Sequence, residues 1–208
     1  MKAEAGPPPG QSWLAQVLAA PGHLSARASA LAGWRRYVAS MLAGATSILA
    51  FAPFFLAPVL LLTFPLLFWL ALEPRKLGSP TSKTQTAMAQ PGSMGTAAAC
   101  GWCFGFGFHL AGLYWIGSAF LVEADRFAWA MPFAVILMPA GLAVFHALAL
   151  AVANIVPGSP VARAIGLALA LAATEWLRGT ILTGFPWNTL GYALTGPLVL
   201  MQSAGIIG

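Results

Sequence analysis

The chain has 208 residues, of which 59% are hydrophobic and only 7% charged. A soluble domain carries about 25% charge, so these residues cannot cover a water-soluble globular enzyme, and apolar side chains are too abundant for intrinsic disorder. The net charge of +5 is read as orienting the chain in a bilayer, not as a nucleic-acid footprint.

Residues 1–36 are the least hydrophobic stretch. Pro7, Pro8, Pro9 and Gly10 oppose a stable helix. The apolar octet 13–20 is short for a signal peptide and is broken by Gln16. The segment reads as a cytoplasmic extension, with a cleaved signal as the alternative. Arg27, Arg35 and Arg36 precede the first long apolar run.

A first span is expected over residues 37–52 and a second over 54–72, joined by a tight turn at Pro53 and Pro58. One helix over these 36 residues would be about 54 Å long, against a hydrocarbon core of about 30 Å. Pro65 should kink the second span. Residues 73–95 are rich in Ser, Thr, Gln and Pro and form a loop. The third span runs over 96–120. It holds Gly101 and Gly105 as a G-x-x-x-G pair, with Gly112 near the same stripe, a groove that lets a neighbouring helix approach closely. A short charged loop follows at Glu123, Asp125 and Arg126.

The fourth span covers 127–156, bent at Pro132 and Pro139, and a turn at 157–160 leads into the fifth span over 161–178. Residues 180–196 form an aromatic loop. A sixth span starts near Pro197. Its twelve residues cover only about 18 Å, so the sequence reads as a fragment of a longer protein, a re-entrant stub being the alternative. The expected fold is therefore an all-α polytopic transmembrane bundle, with about five full spans and the start of a sixth over residues 37–208. With the N-terminus cytoplasmic, eight of ten Lys and Arg lie inside and only Arg126 and Arg178 outside. The loops 120–127 and 180–196 then face the outer side.

Glu175 and Arg178 are three residues apart at the outer end of the fifth span, a spacing that puts both on one helix face. Charges near the bilayer demand a partner or water. The pair either anchors the following loop or binds a substrate head group. In that loop, Gly184 permits a sharp turn, Pro186 stiffens it, and Phe185, Trp187 and Tyr192 present flat apolar faces. They make either an interfacial aromatic belt or a shaped pocket for acyl chains. Tyr114 and Trp115 end the third span on the same side and face the same two readings.

His109, His146 and Asn154 read as buried, hydrogen-bonded interior residues, not as ligands. Cys100 and Cys103 form C-x-x-C on an apolar helix, away from the strand–helix junction that a redox motif needs. No metal site, cofactor motif, Walker loop or nucleophile elbow is present.

Four segments carry a family resemblance. They are Leu49-Ala50-Phe51-Ala52-Pro53; Gly101-Trp102-Cys103-Phe104-Gly105-Phe106-Gly107 with the following Gly-Leu-Tyr-Trp; Glu175-Trp176-Leu177-Arg178-Gly179; and Leu182-Thr183-Gly184-Phe185-Pro186-Trp187 through Gly191-Tyr192. Over residues 37–208 the chain resembles the N-terminal membrane part of apolipoprotein N-acyltransferases.

The resemblance implies a bacterial inner-membrane protein with eight transmembrane helices and a periplasmic nitrilase-like domain bearing a Glu-Lys-Cys triad. Such an enzyme takes an acyl chain from a glycerophospholipid as a cysteine thioester. It passes the chain to the α-amino group of a lipoprotein's diacylglyceryl-cysteine. No residue here matches the triad, and neither cysteine matches the nucleophile, so the 208 residues are expected to be inactive alone. The resemblance places Trp187 where the family has a tryptophan important for substrate access, with Glu175 and Arg178 at charged positions just below it. Asn188 stands where a bulkier apolar residue is common. The alternatives are a small transporter or channel, which calls for a polar path through the membrane, and a lipid-binding module without chemistry.

Overall fold

In a computed structural model, residues 27–28, 31–72 and 93–202 are described, and all their regular structure is helical. Helix α1 (Trp34–Ser47) is extended by a 3-10 turn at Ile48–Ala50. Its hydroxyls are satisfied on the helix itself: Ser40 Oγ donates to the Arg36 carbonyl at 3.0 Å and Thr46 Oγ1 to the Leu42 carbonyl at 2.8 Å. Such back-bonding is how Ser and Thr survive in an apolar run. The chain reverses through Phe51–Leu56, where the Phe54 and Phe55 amides both donate to the Phe51 carbonyl. A 3-10 turn at Ala57–Val59 then leads into α2 (Leu60–Ala71), with Pro65 inside it. Ser47 and Thr63 bond hydroxyl to hydroxyl at 2.8 Å and tie the two helices together.

Helix α3 (Met94–Leu113) starts at Ser93, whose hydroxyl accepts the Thr96 amide at 3.2 Å. It tightens into a 3-10 stretch at Tyr114–Leu121. After a single α-turn at Ala124–Phe127, α4 spans Met131–Asn154, with Pro132 in its first turn and Pro139 inside. Helix α5 (Pro160–Thr180) is capped by Ser159, which accepts the Ala162 amide at 3.3 Å. Proline at the first helical position loses no hydrogen bond there. A 3-10 turn at Leu190–Leu194 and a short α6 (Leu198–Gln202) follow.

Among the described residues, three helical stretches are long and apolar enough to cross a membrane: Met94–Leu121, Ala124–Asn154 and Pro160–Thr180. A helical membrane bundle is what the composition demanded. The first helix with its 3-10 turn, residues 34–50, starts three residues before the expected span and ends two residues short of it, whereas the second is shorter than its apolar run. Ala57–Ala71 is apolar but rises only about 22 Å at 1.5 Å per residue, because residues 51–56 are spent on the proline-bearing turn. Most of the N-terminal extension, the loop at 73–92 and the last residues of the sixth span lie outside the described residues.

Helix α3 is the centre of the bundle and packs on α1 along one side and on α4 along another. Glycine makes both approaches possible. A Cβ on Gly101 would stand 2.5 Å from the His146 carbonyl oxygen of α4, and one on Gly105 only 2.8 Å from the His146 side chain. The G-x-x-x-G pair thus has α4 as its partner. Gly107 lies two residues on, so it points to the opposite face. There a Cβ would collide with the Met41 carbonyl of α1, while one on Gly44 of α1 would collide with the Phe104 carbonyl. The core between the helices is filled by Leu67, Cys100, Phe104, Leu150, Leu167 and Leu171.

Candidate functional site

The end of α5 and the loop after it form one hydrogen-bonded unit. Arg178 is 2% exposed. Its Nη1 donates to the carbonyls of Phe185 at 2.8 Å and Trp187 at 2.7 Å. In return, the Phe185 amide donates to the Arg178 carbonyl at 2.9 Å. Glu175 lies one helical turn back on the same face. Its Oε1 accepts the Leu190 amide at 2.9 Å and sits 3.9 Å from Arg178 Nη2. The last distance is an ion pair and too long for a hydrogen bond. One carboxylate and one guanidinium thereby fix residues 185, 187 and 190 by their backbone atoms.

The loop needs such a clamp because its backbone is strained. Leu182, Thr183 and Gly184 follow one another with φ of 52°, 73° and 79°, and Asn188 has φ of 54°. A non-glycine residue held in the left-handed region costs about 1–3 kcal/mol. Hydrogen bonds to a charged group return about 1.5–3 kcal/mol each, so the Arg178 pair offsets much of it. A Cβ at Gly184 would meet the Gly179 carbonyl, so a side chain there is excluded by contact as well as by φ.

The clamp presents Trp187 outward. Its indole meets Trp115, at the end of α3, with ring centroids 5.8 Å apart at 68°, an edge-to-face pair. Both rings are about half exposed. Tyr114 is 69% exposed and belongs to the rim. Pro186 is exposed and Phe185 half-buried. Tyr192 is exposed, and its amide donates to the Thr189 carbonyl at 3.0 Å. The structure therefore brings together Trp115, Trp187, Phe185, Glu175 and Arg178, with Pro186 and Tyr192 on the same loop and Tyr114 beside it. The charge pair contacts the loop backbone, as its loop-anchoring reading requires. Arg178 spends its Nη1 on carbonyls and offers no exposed charge.

Below the clamp, a groove of about 570 Å³ runs between α2 and α5. Leu60, Phe64, Phe68, Leu167 and Leu171 line it, and Glu175 and Leu190 close one end. Its size is that of an ordinary small-ligand site. Its walls are apolar apart from Glu175.

Leu190 was not foreseen as a participant, because a backbone amide leaves no mark in a sequence. His109 and His146 are buried as expected, 0% and 3% exposed. The expected hydrogen-bond partners are not found among the described residues, and the rings instead meet each other edge-to-face at 5.3 Å. Among the described residues, no group of three His, Cys, Asp or Glu is placed to hold a metal ion.

A family model described as the apolipoprotein N-acyltransferase N-terminal domain matches residues 43–208. The chain belongs to that family. Curated apolipoprotein N-acyltransferases are similar over most of it. One from Rhodopseudomonas palustris is 50% identical over 176 residues, covering 85% of this chain and 31% of its own length. Relatives from Brucella suis and Sinorhizobium medicae are each 42% identical, covering 89% and 88% of this chain and 33% of their own lengths. The chain spans about a third of the length of the curated relatives it matches. Within an N-acyltransferase N-terminal domain, the clamp and the tryptophan pair lie inside the matched region, as does the whole of α3 to α6.

Proposed function

We propose that this chain is the membrane domain of a phospholipid-dependent apolipoprotein N-acyltransferase of the bacterial inner membrane. In this reading residues 37–208 form the helical unit, and residues 1–36 extend it on the cytoplasmic side. The donor is a glycerophospholipid, and the acceptor is the α-amino group of a diacylglyceryl-cysteine lipoprotein. Both substrates are lipid-borne, so they reach the active site along the outer face of the bundle. The Trp115–Trp187 pair with Phe185, Pro186, Tyr192 and Tyr114 forms the apolar wall they pass, and the Glu175–Arg178 clamp holds that wall in shape. The groove between α2 and α5 gives an acyl chain a path that ends at the same clamp.

The observation that carries this reading is the clamp itself. A buried arginine and a carboxylate are committed to holding a strained aromatic loop at the end of a span. An interfacial belt needs aromatic side chains at the right depth, with no fixed backbone. The covalent chemistry requires a thiolate, a base and an oxyanion donor, and these 208 residues hold no match to that triad. Alone, they transfer nothing.

Two measurements test this. The chain incubated with phospholipid and a diacylated lipopeptide yields no N-acylated peptide; any product overturns the assignment of chemistry to other residues. Joined to the C-terminal two-thirds of the Rhodopseudomonas palustris relative, it supports growth of cells depleted of their own N-acyltransferase. Failure of a stably expressed chimera to do so overturns the functional reading.

A further inference from the structure

A cluster of buried polar groups lies behind the aromatic loop and takes no part in the clamp. His109 of α3 and His146 of α4 face each other with ring centroids 5.3 Å apart at 76°, and no hydrogen bond joins them. The rings of Phe104 and Phe108 pack around them and accept no conventional hydrogen bond. One turn along α3, Gly112 makes room for the Asn188 side chain, whose Nδ2 a Cβ there would strike. Arg178 comes in from α5 and holds the Trp187 carbonyl, the residue next to Asn188.

Six nitrogens of this cluster are buried without a hydrogen-bond partner among the described residues: His109 Nδ1 and Nε2, His146 Nδ1, Asn188 Nδ2, and Arg178 Nε and Nη2. Nη2 has only the 3.9 Å ion pair to Glu175. Inside a bundle surrounded by lipid, no bulk solvent supplies the missing bonds. Buried polar groups on this scale call for a partner.

We propose that His109, His146, Asn188 and Arg178 form a buried water-binding site that bridges α3, α4 and the base of the Trp187 loop. The donor and acceptor inventory selects water. Asn188 Nδ2 and the two Arg178 nitrogens only donate, whereas a neutral imidazole has one donor and one acceptor. A halide accepts from Arg178 and Asn188 but leaves the acceptor nitrogens of the imidazoles bare. A metal cation suits the imidazoles but is repelled by Arg178, and no third ligand stands nearby among the described residues. Water alone both gives and accepts, and two to four polar partners are what an ordered interior water requires. The seat of the Trp187 loop is then a wet polar network, independent of any acyl transfer by the longer enzyme.

The site is tested on the 208-residue chain in lipid bilayers with nitrogen-15 histidine. Magnetisation transferred from water in solid-state NMR should reach the His109 and His146 rings several-fold faster than the backbone amide of Phe104. Build-up no faster than at Phe104 shows a dry site and overturns the proposal. Exchange of chloride for bromide should leave both ring signals unmoved; a shift of both signals identifies an anion and overturns it equally.

A substitution gives a second, signed readout. His146→Leu, of similar size, strands the water on Arg178 and Asn188 and lowers the melting temperature, whereas His146→Gln keeps a polar contact and recovers most of the loss. In a dry site the same leucine removes a desolvated imidazole and raises the melting temperature, which would refute the water site.

Discussion

Arg178 Nη1 donates to the carbonyl of Trp187 at 2.7 Å, nine residues away. The bond makes the position of the exposed indole depend on a buried residue. The same nitrogen holds the Phe185 carbonyl, so one side chain sets both residues that flank Pro186.

Arg178→Ala is expected to be severe. It leaves two carbonyls without their donor and Glu175 without its cation. Removing one partner of a buried pair costs about 3–5 kcal/mol. Thermal unfolding in detergent should show a large loss, and tryptophan emission should shift as Trp187 is released. Arg178→Lys should fall between the two, because an ammonium cannot reproduce the planar fork. Equal stability of the alanine variant and the parent would contradict the clamp.

Glu175 separates charge from hydrogen bonding. Glu175→Gln keeps an oxygen for the Leu190 amide but removes the counter-charge of Arg178; Glu175→Ala removes both. Hydrogen exchange at the Leu190 amide should accelerate strongly in the alanine variant and little in the glutamine variant. Similar exchange in both would mean that the 2.9 Å bond does not hold Leu190.

Trp187→Ala should cost little stability. Edge-to-face aromatic pairs contribute about 0.5–1.5 kcal/mol beyond burial, and the Trp187 ring is 53% exposed. In the chimera with the C-terminal two-thirds of the relative, acylation should fall much further than stability does. Unchanged turnover on both lipid substrates would reduce Trp187 to an interface anchor.

The glycines of α3 and α4 divide sharply by position. Gly101→Leu or Gly107→Leu forces apart backbones already in contact and should cost at least about 1–3 kcal/mol. Gly141 of α4 has nothing within 4 Å of an added Cβ, so Gly141→Ala should be neutral or slightly stabilising. Unfolding in graded denaturing detergent compares the three directly, and a tolerated Gly107→Leu would disprove the close crossing of α1 and α3.

The legibility of these features follows their physics. Spacing in sequence revealed what lies on one helix. Glu175 and Arg178 are one turn apart, and Gly101 and Gly105 form a recognisable pair. The partners across space were hidden. The Phe185 and Trp187 carbonyls and the Leu190 amide are backbone groups that every residue possesses. The Gly44–Gly107 crossing puts one glycine on each of two helices, so no local spacing marks it. Apolar run length overstated the second helix, since hydropathy does not distinguish Phe54–Leu56 in a turn from the same residues in a helix. Burial of His109 and His146 was readable from their apolar surroundings, but their mutual contact depends on how α3 and α4 are rotated.

Arg178 and Glu175 grip the loop after α5 by main-chain atoms alone: two carbonyls and one amide. That polar grip does not depend on which side chains stand at 185, 187 and 190. Shape and chemical character are uncoupled at this surface. A descendant of this chain can exchange an indole for another apolar group while the scaffold beneath keeps the same form.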